Sequence, residues 1–481
     1  MLGAGSSALS ELTARQAVAA MRMGELRAET YAEALLARCT AGEVLNAFIT
    51  FEPQQVLAAA RAADVLRAAG GSLGLLHGLP IPIKDSVNTK GMVTTAGTPA
   101  LRGFRPEADA PVVAALRAAG AFVLGKTNLH ELSFGWTSDN LAFGAVRNPY
   151  DTRRIAGGSS GGTAAAVAAR MAPLGLAEDT QGSIRVPAAL CGICGLRPTT
   201  GRYPSSGVAP ITALFDQVGA HARSVDDLVL FDAVVTGDTA PVQPAPLTGL
   251  RLGIPREYYF AGIDERIELV VNAALARLRD AGVELVDVQA PRLDELVGLI
   301  TGTVQLHDVV PALTDYLIAS GANVGFAQLL AMASRDVQSD LMSYAVPGAR
   351  HGVTEHAYLA ARDRHLPALR KMFAELFARN DVAAIVFPTT MVAATTIGDA
   401  ETVLVRGKRI PFPTAIARNI APGSTAGLPG LVLPVGLTRK GGLPVSLELD
   451  APAGADRALL SIGLAIEQVL GPMAAPPAVW K

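Results

Sequence analysis

The sequence predicts an α/β fold, a single domain in which a central mixed β-sheet is covered by helices on both faces. Three observations predict it. Short apolar runs bounded by glycine and proline alternate with alanine-rich stretches of helical spacing, the alternation continues along the 481 residues, and no low-complexity linker breaks it. A chain this long would suit two or three average domains, but α/β enzymes often keep one interwoven core at this size.

In chain order, residues 13–38 carry an Ala/Leu/Met-rich face at helical spacing and residues 54–69 form a second alanine-rich helix, both expected outside the sheet. The runs Leu79-Pro-Ile-Pro-Ile-Lys84 and Ala121-Phe-Val-Leu-Gly125 read as strands, the second preceded by an Ala-rich helix from about Pro111. Residues 163–170 continue a glycine loop as a helix. Further strands are expected at 250–254, 283–288, 383–387, 430–435 and 444–449. Regularity is weakest over about 291–376, which is mostly helical, holds four of the seven histidines and reads as an inserted layer. The core motifs therefore occupy 79–227, and a C-terminal return to the core is expected over 380–470.

Composition narrows the function. Charged residues make up 17% and the net charge is -2, so no electrostatic footprint for nucleic acid or an anionic membrane is present, and a small neutral or apolar partner is favoured. Half the residues are hydrophobic and the mean hydropathy is +0.33, which raises the question of membrane insertion. Two uncharged stretches are long enough to test it, 317–334 and 420–438. Ser320, Asn323 and Gln328 interrupt the first and Pro422, Pro429 and Pro434 the second, so both are read as buried core or pocket wall. The first residues lack a basic segment followed by an apolar run, and no export signal is expected. Cys39, Cys191 and Cys194 cannot build a disulfide framework and fit a reducing cytoplasm; one CxxC cannot complete a zinc site, and the pair reads as small buried hydrophobes. The histidines show no metal-ligand spacing. No metal and no cofactor is expected.

The chemistry lies in two loops, Gly157-Gly158-Ser159-Ser160-Gly161-Gly162 and Asp179-Thr180-Gln181-Gly182-Ser183. Glycines let a backbone turn tightly and approach a substrate, and serines at such turns offer nucleophilic oxygens. Reading Gly157 to Gly161 as the G-x-S-x-G elbow of an α/β-hydrolase makes Ser159 the nucleophile. That elbow needs a buried strand directly before it, whereas Asn148-Pro-Tyr-Asp-Thr-Arg-Arg154 is polar and turn-like. Reading the loop as a phosphate cradle fails because no lysine follows Gly161-Gly162.

A third reading comes from several ordered motifs. Lys84-Asp85-Ser86, Gly125-Lys126-Thr127-Asn128, the two loops, Cys191-Gly-Ile-Cys-Gly-Leu-Arg-Pro198, Asp216-Gln217-Val218-Gly219, Val386-Phe-Pro-Thr389, Ala426-Gly-Leu-Pro429 and Gly442-Leu-Pro-Val445 together resemble the amidase signature family over nearly the whole chain. The resemblance implies an amide hydrolase with a Ser-cisSer-Lys triad. It implies Ser183 as nucleophile, Ser159 as the bridging serine after a cis peptide bond, and Lys84 as base. A lysine accepts a proton at neutral pH only where burial depresses its pKa. The apolar run before Lys84 supplies burial, and Asp85, which would oppose it, is expected to face the other way.

The resemblance also implies an oxyanion hole in the backbone of Thr180, Gln181, Gly182 and Ser183. Gln181 stands where a small residue is usual, so it shapes that turn or reaches the substrate. Ser160, Asp179 and Arg185 are expected to support the loops, and His130 to serve the scaffold in a helix cap. Phe134, Trp136 and Gln181 are candidates for the pocket, with residues 317–334 and 415–428 as its walls. The stretch Gly201-Arg-Tyr-Pro-Ser-Ser-Gly-Val-Ala-Pro210 is most similar to the mandelamide and indoleacetamide hydrolase branch, implying an aryl or apolar small-molecule amide, with esters and carbamates also within reach of the chemistry. A related branch, the amidase subunit of a glutamine-dependent tRNA amidotransferase, is the alternative. A monomer or homodimer is expected. All three triad positions being filled argues against a non-catalytic binding protein.

Overall fold

A computed structural model describes residues 6–399, 401–477 and 480. Eleven strands, numbered here along the chain, pair into one mixed sheet: β1 (Phe48–Thr50), β2 (Pro80–Lys84), β3 (Phe122–Thr127), β4 (Leu174–Asp179), β5 (Cys194–Arg197), β6 (Gln217–Ala222), β7 (Arg251–Ile254), β8 (Glu284–Asp287), β9 (Ala384–Pro388), β10 (Gly430–Leu437) and β11 (Pro444–Asp450). Their order across the sheet is β1-β3-β2-β4-β6-β5-β10-β11-β9-β7-β8. The β3-β2-β4 block is parallel, as is β9-β7-β8, and antiparallel pairs join the two blocks through the middle.

All seven strands expected from the sequence are present, with ends moved by one or two residues. Four more were not expected: the three-residue β1 at one edge, and β4, β5 and β6 at the centre of the sheet. Glycines break up the apolar runs of the central three, and the packing explains why: a Cβ on Gly219 would lie 2.1 Å from the carbonyl oxygen of Leu196 on β5, so the close approach of β5 and β6 requires glycine.

The helix expected over 13–38 is two helices, Ala14–Met23 and Ala28–Ala41. Gly24 ends the first in the left-handed conformation, φ 76°, donating its N–H to Ala20 and Met21 carbonyls, and Thr13 begins it with a capping box. Pro53–Ala68 matches the second expected helix. The short helix Gly161–Ala168 is entirely buried, which its Gly/Ala composition permits by letting neighbouring backbone come close.

The 291–376 layer is helical, led by Leu293–Ala319. That helix, rather than either uncharged stretch noted in the sequence, is long and apolar enough to cross a membrane by length and composition. One face of it, including Leu296, Ile300 and Val304, packs into a core cluster with Leu369 and Phe373, and Asp308 accepts a hydrogen bond from Thr212. Residues 317–334 run through a helix end, a turn and the helix Phe326–Met332, while 420–438 divide between the helix Ala421–Ala426 and β10.

Candidate active site

Strands β2 and β4 are parallel neighbours in register at Ile83 and Leu176, so Lys84 and Glu178 emerge together at their carboxyl ends. Open α/β sheets place their ligand sites outside that edge. Beyond β4 the chain turns through Thr180-Gln181-Gly182-Ser183 into the helix Arg185–Cys191, and the serine-glycine loop leads into Gly161–Ala168. Both loops therefore meet at the end of β2.

Lys84 is fully buried, and its Nζ donates to Ser159 Oγ at 2.5 Å and to Glu178 Oε1 at 2.5 Å. The Gly158–Ser159 peptide is cis. The Ser159 carbonyl accepts from the His130 N–H at 3.1 Å and from Ser138 Oγ at 3.0 Å, which fixes the loop from outside. Ser160 ties it to the second loop: its N–H donates to the Ser183 carbonyl at 3.2 Å and its hydroxyl to the Glu178 carbonyl at 3.1 Å. Burial pushes Lys84 below the usual lysine range, and the carboxylate of Glu178 opposes that push. Asp85 lies beyond the strand end and turns to the other side, 3.2 Å from Lys126.

The turn carrying Ser183 is held by Asp179. Its carboxylate accepts from the N–H groups of Gly182, at 2.7 Å, and Ile184, at 3.1 Å, and pairs with Arg185 at 3.1 Å. Burial alone would raise this carboxyl, but Arg185 and Arg197 outweigh it and hold Asp179 at about 2. Arg185 continues to Glu448 and Ser424, so the turn is anchored to β11 and to the helix Ala421–Ala426.

Because the Gly182 N–H is taken by Asp179, the set of four backbone donors expected for an oxyanion narrows. The N–H groups of Thr180, Gln181 and Ser183 find no acceptor among the described residues. The left-handed conformation in this turn falls on Gly182, φ 102°, and Gln181 stays outside the positive-φ residues, so a side chain at 181 fits without strain. Gln181 Oε1 accepts from Gln305 Nε2 at 3.0 Å, and its carbonyl accepts from Trp136 Nε1 at 2.9 Å.

A cavity of about 490 Å³ opens onto Ser183, walled by Phe134, Trp136, Gln181, Ile211, Leu306 and Tyr344 among others. The walls expected at 317–334 and 415–428 are not there. Leu317 and Leu329 are core residues, and Ile420 packs behind Gly182. The pocket uses other residues, Gly302, Gln305, Leu306, Asp340, Tyr344 and Pro413.

His130 precedes a single 3-10 turn, Glu131–Ser133, in place of the expected cap and first helical turn. Its partly buried ring lies 3.1 Å from Thr137 Oγ1, and desolvation lowers it to about 4. Cys39, Cys191 and Cys194 are buried free thiols. Among the described residues no group of three His, Cys, Asp or Glu side chains is placed to hold a metal.

Two residues escaped the sequence reading. Glu178 pairs with Lys84 and also accepts from Ser133 Oγ at 2.6 Å. Asp216 accepts from Thr180 Oγ1 at 2.6 Å and from the N–H groups of Ile211 and Thr212, and burial raises it to about 7. Both border a second cavity, about 430 Å³, lined also by Tyr203, Pro210 and Gln217. A signal for Glu178 existed: a carboxylate directly before Asp179 closes an otherwise apolar run, an expensive place for a charge without a partner.

A buried lysine bonded to a loop serine, a second serine opening onto an apolar cavity and a turn with free backbone donors suit acyl transfer through a serine. The sequence pattern of the Amidase family matches residues 31–460, and the chain belongs to that family. It is 38% identical to mandelamide hydrolase of Pseudomonas putida over 96% of this chain and 92% of that protein. It is 37% identical to indoleacetamide hydrolase of Agrobacterium vitis, with 91% and 92% covered. That the bond cleaved is a carbon–nitrogen bond other than a peptide bond follows from this family and these relatives. The crystal structure of native peptide amidase from Stenotrophomonas maltophilia superposes with a TM-score of 0.82 at 29% identity, covering 97% of this chain and 98% of that one.

Proposed function

We propose that this chain hydrolyses small aryl or apolar amides through an acyl-enzyme on Ser183. The observation that carries the reading is the 2.5 Å contact between Lys84 and Ser159 within loops tied to Ser183. Neutral Lys84 accepts the Ser159 proton as Ser159 takes that of Ser183, whose oxygen attacks the amide carbonyl. The negative charge reaches the carbonyl oxygen, facing the N–H groups of Thr180, Gln181 and Ser183. The proton then returns through the same relay to the leaving nitrogen, and water hydrolyses the ester.

The substrate reading rests on Phe134, Trp136, Ile211, Leu306 and Tyr344 around the cavity and on the similarity to the mandelamide and indoleacetamide hydrolases. The 291–376 layer sets specificity, since it contributes Gly302, Gln305, Leu306, Asp340 and Tyr344 to that wall. Three buried free thiols suit a reducing cytoplasm. A panel of arylacetamides, aliphatic amides, anilides, aryl esters, carbamates and glutamine tests the reading with the isolated chain. Turnover of arylacetamides without glutamine hydrolysis is expected. Glutamine as the best substrate would replace this reading by that of an amidotransferase subunit.

A further inference from the structure

Lys84 has two acceptors, and the proton relay uses one of them. The other is Glu178 Oε1, which also receives Ser133 Oγ at 2.6 Å and lies 3.4 Å from Ser86 Oγ. The Lys84 and Glu178 side chains are 0% and 6% exposed, so their attraction is little screened. We propose that Glu178 is a positioning residue for the amidase reaction: its carboxylate aims the Lys84 amine at Ser159 and stabilises the ammonium that forms on it when Ser183 attacks. This rests on the reading of Lys84 as base.

The proton count fits. Before attack Lys84 is a neutral amine beside a carboxylate. The Ser183 proton passes to Ser159 and the Ser159 proton to Nζ, leaving an ammonium paired with Glu178 while the negative charge moves to the tetrahedral oxygen. Collapse returns one proton to the leaving nitrogen and restores the neutral amine. The attraction between the Glu178 carboxylate and Lys84 is strongest when Nζ is protonated, so it favours the attacked state over the resting one.

The other charges around Lys84 are accounted for. Asp179 is committed to Arg185 and to backbone N–H groups; Asp216, bonded to Thr180, Ile211 and Thr212 and raised to about 7 by burial, is kept out of the acid limb by comparing the variants in an Asp216→Asn background. The His130 and His221 rings are held at about 4 by burial and are neutral in the working range. Asp85 and Lys126 pair with each other. Glu178 is thus the carboxylate in direct contact with the base.

The acid limb of kcat/KM reports protonation of that base, or of the Lys84–Glu178 pair as a unit. A neighbouring carboxylate makes the amine harder to deprotonate, so it places the limb at higher pH. Glu178→Gln is expected to move the limb at least one pH unit lower and to reduce plateau kcat about tenfold, with little change in KM. Ser133→Ala removes a hydrogen bond that disperses the carboxylate charge, strengthens its hold on the ammonium and is expected to move the limb a few tenths of a unit higher. An unchanged limb in Glu178→Gln overturns the proposal. If that variant does not fold, an unchanged or lowered limb in Ser133→Ala overturns it. Failure of the underlying reading is distinguishable, because Lys84→Ala would then retain wild-type activity.

Discussion

Two buried lysines stand at the ends of adjacent parallel strands, each paired with a carboxylate, and they have different fates. Lys126 on β3 meets Asp85 at 3.2 Å and spends its remaining donors on the Val87 carbonyl and Thr94 Oγ1, at 2.8 and 2.7 Å. Lys84 on β2 meets Glu178 and a hydroxyl that belongs to the Ser159 loop. Burial lowers both lysines and a carboxylate opposes it in both, so neither depth nor charge separates them. What separates them is the third partner. A lysine whose donors end on backbone and threonine is a strut, whereas one bonded to a serine in a loop beside a cavity has somewhere to pass a proton.

The largest expected effect is on that difference. Lys84→Ala lowers kcat by about 10²–10⁴, the range for loss of a general base, with the fold retained by circular dichroism. Lys126→Ala leaves Asp85 buried without its counter-charge and costs about 3–5 kcal/mol in chemical denaturation, with an acid limb in the remaining folded enzyme like that of the wild type. Equal kinetic losses in both variants break the comparison.

A smaller effect separates the two sides by pH. Asp216, on the Lys84 side, is raised by burial from the ordinary aspartate range to about 7. The folded state therefore holds a proton that the unfolded state has released, and the stability this contributes is complete below about pH 4 and lost as pH rises through 7. In Asp216→Asn the amide oxygen can still accept from Ile211 and Thr212 and the amide nitrogen can face the Thr180 hydroxyl. The variant is expected to lose that decline in melting temperature between pH 4 and 7; an identical pH profile in both proteins contradicts the assignment. The smallest effect sharpens the strut. Thr94→Val removes one hydrogen bond from Lys126 and costs about 1 kcal/mol, read by denaturation, with kcat and its pH profile unchanged.

The strands flanking the centre of the sheet were legible, whereas the central β4, β5 and β6 and the three-residue edge strand β1 were not. Strands such as β2 and β9 are apolar runs between glycines and prolines, which is what a buried strand leaves in a sequence. In β4, β5 and β6 the same signal is broken by Gly175, Gly195 and Gly219, selected by close packing between elements. The break at Gly24 was local and readable, a left-handed glycine ending one helix inside an alanine-rich stretch of helical spacing. In the site, the motifs brought Lys84, Ser159, Ser183, Asp179 and Arg185 into view, and the structure gathers them at one edge of the sheet. Glu178 and Asp216 act through contacts 94 and 36 residues away, to Lys84 and Thr180, and spacing along the chain carries no trace of such pairs. The pocket walls differ for a related reason: an apolar stretch can face either the substrate or the core, and Leu317 and Leu329 face the core while Ile420 packs behind Gly182.

The central claim is that Lys84, through Ser159, activates Ser183. Its most direct test is the site and rate of labelling by a fluorophosphonate, mapped by mass spectrometry in the wild type and in Lys84→Ala. A single adduct on Ser183 that forms at least a hundredfold more slowly in the folded variant is the predicted result. An adduct on Ser159, or equal rates in the two proteins, would contradict it.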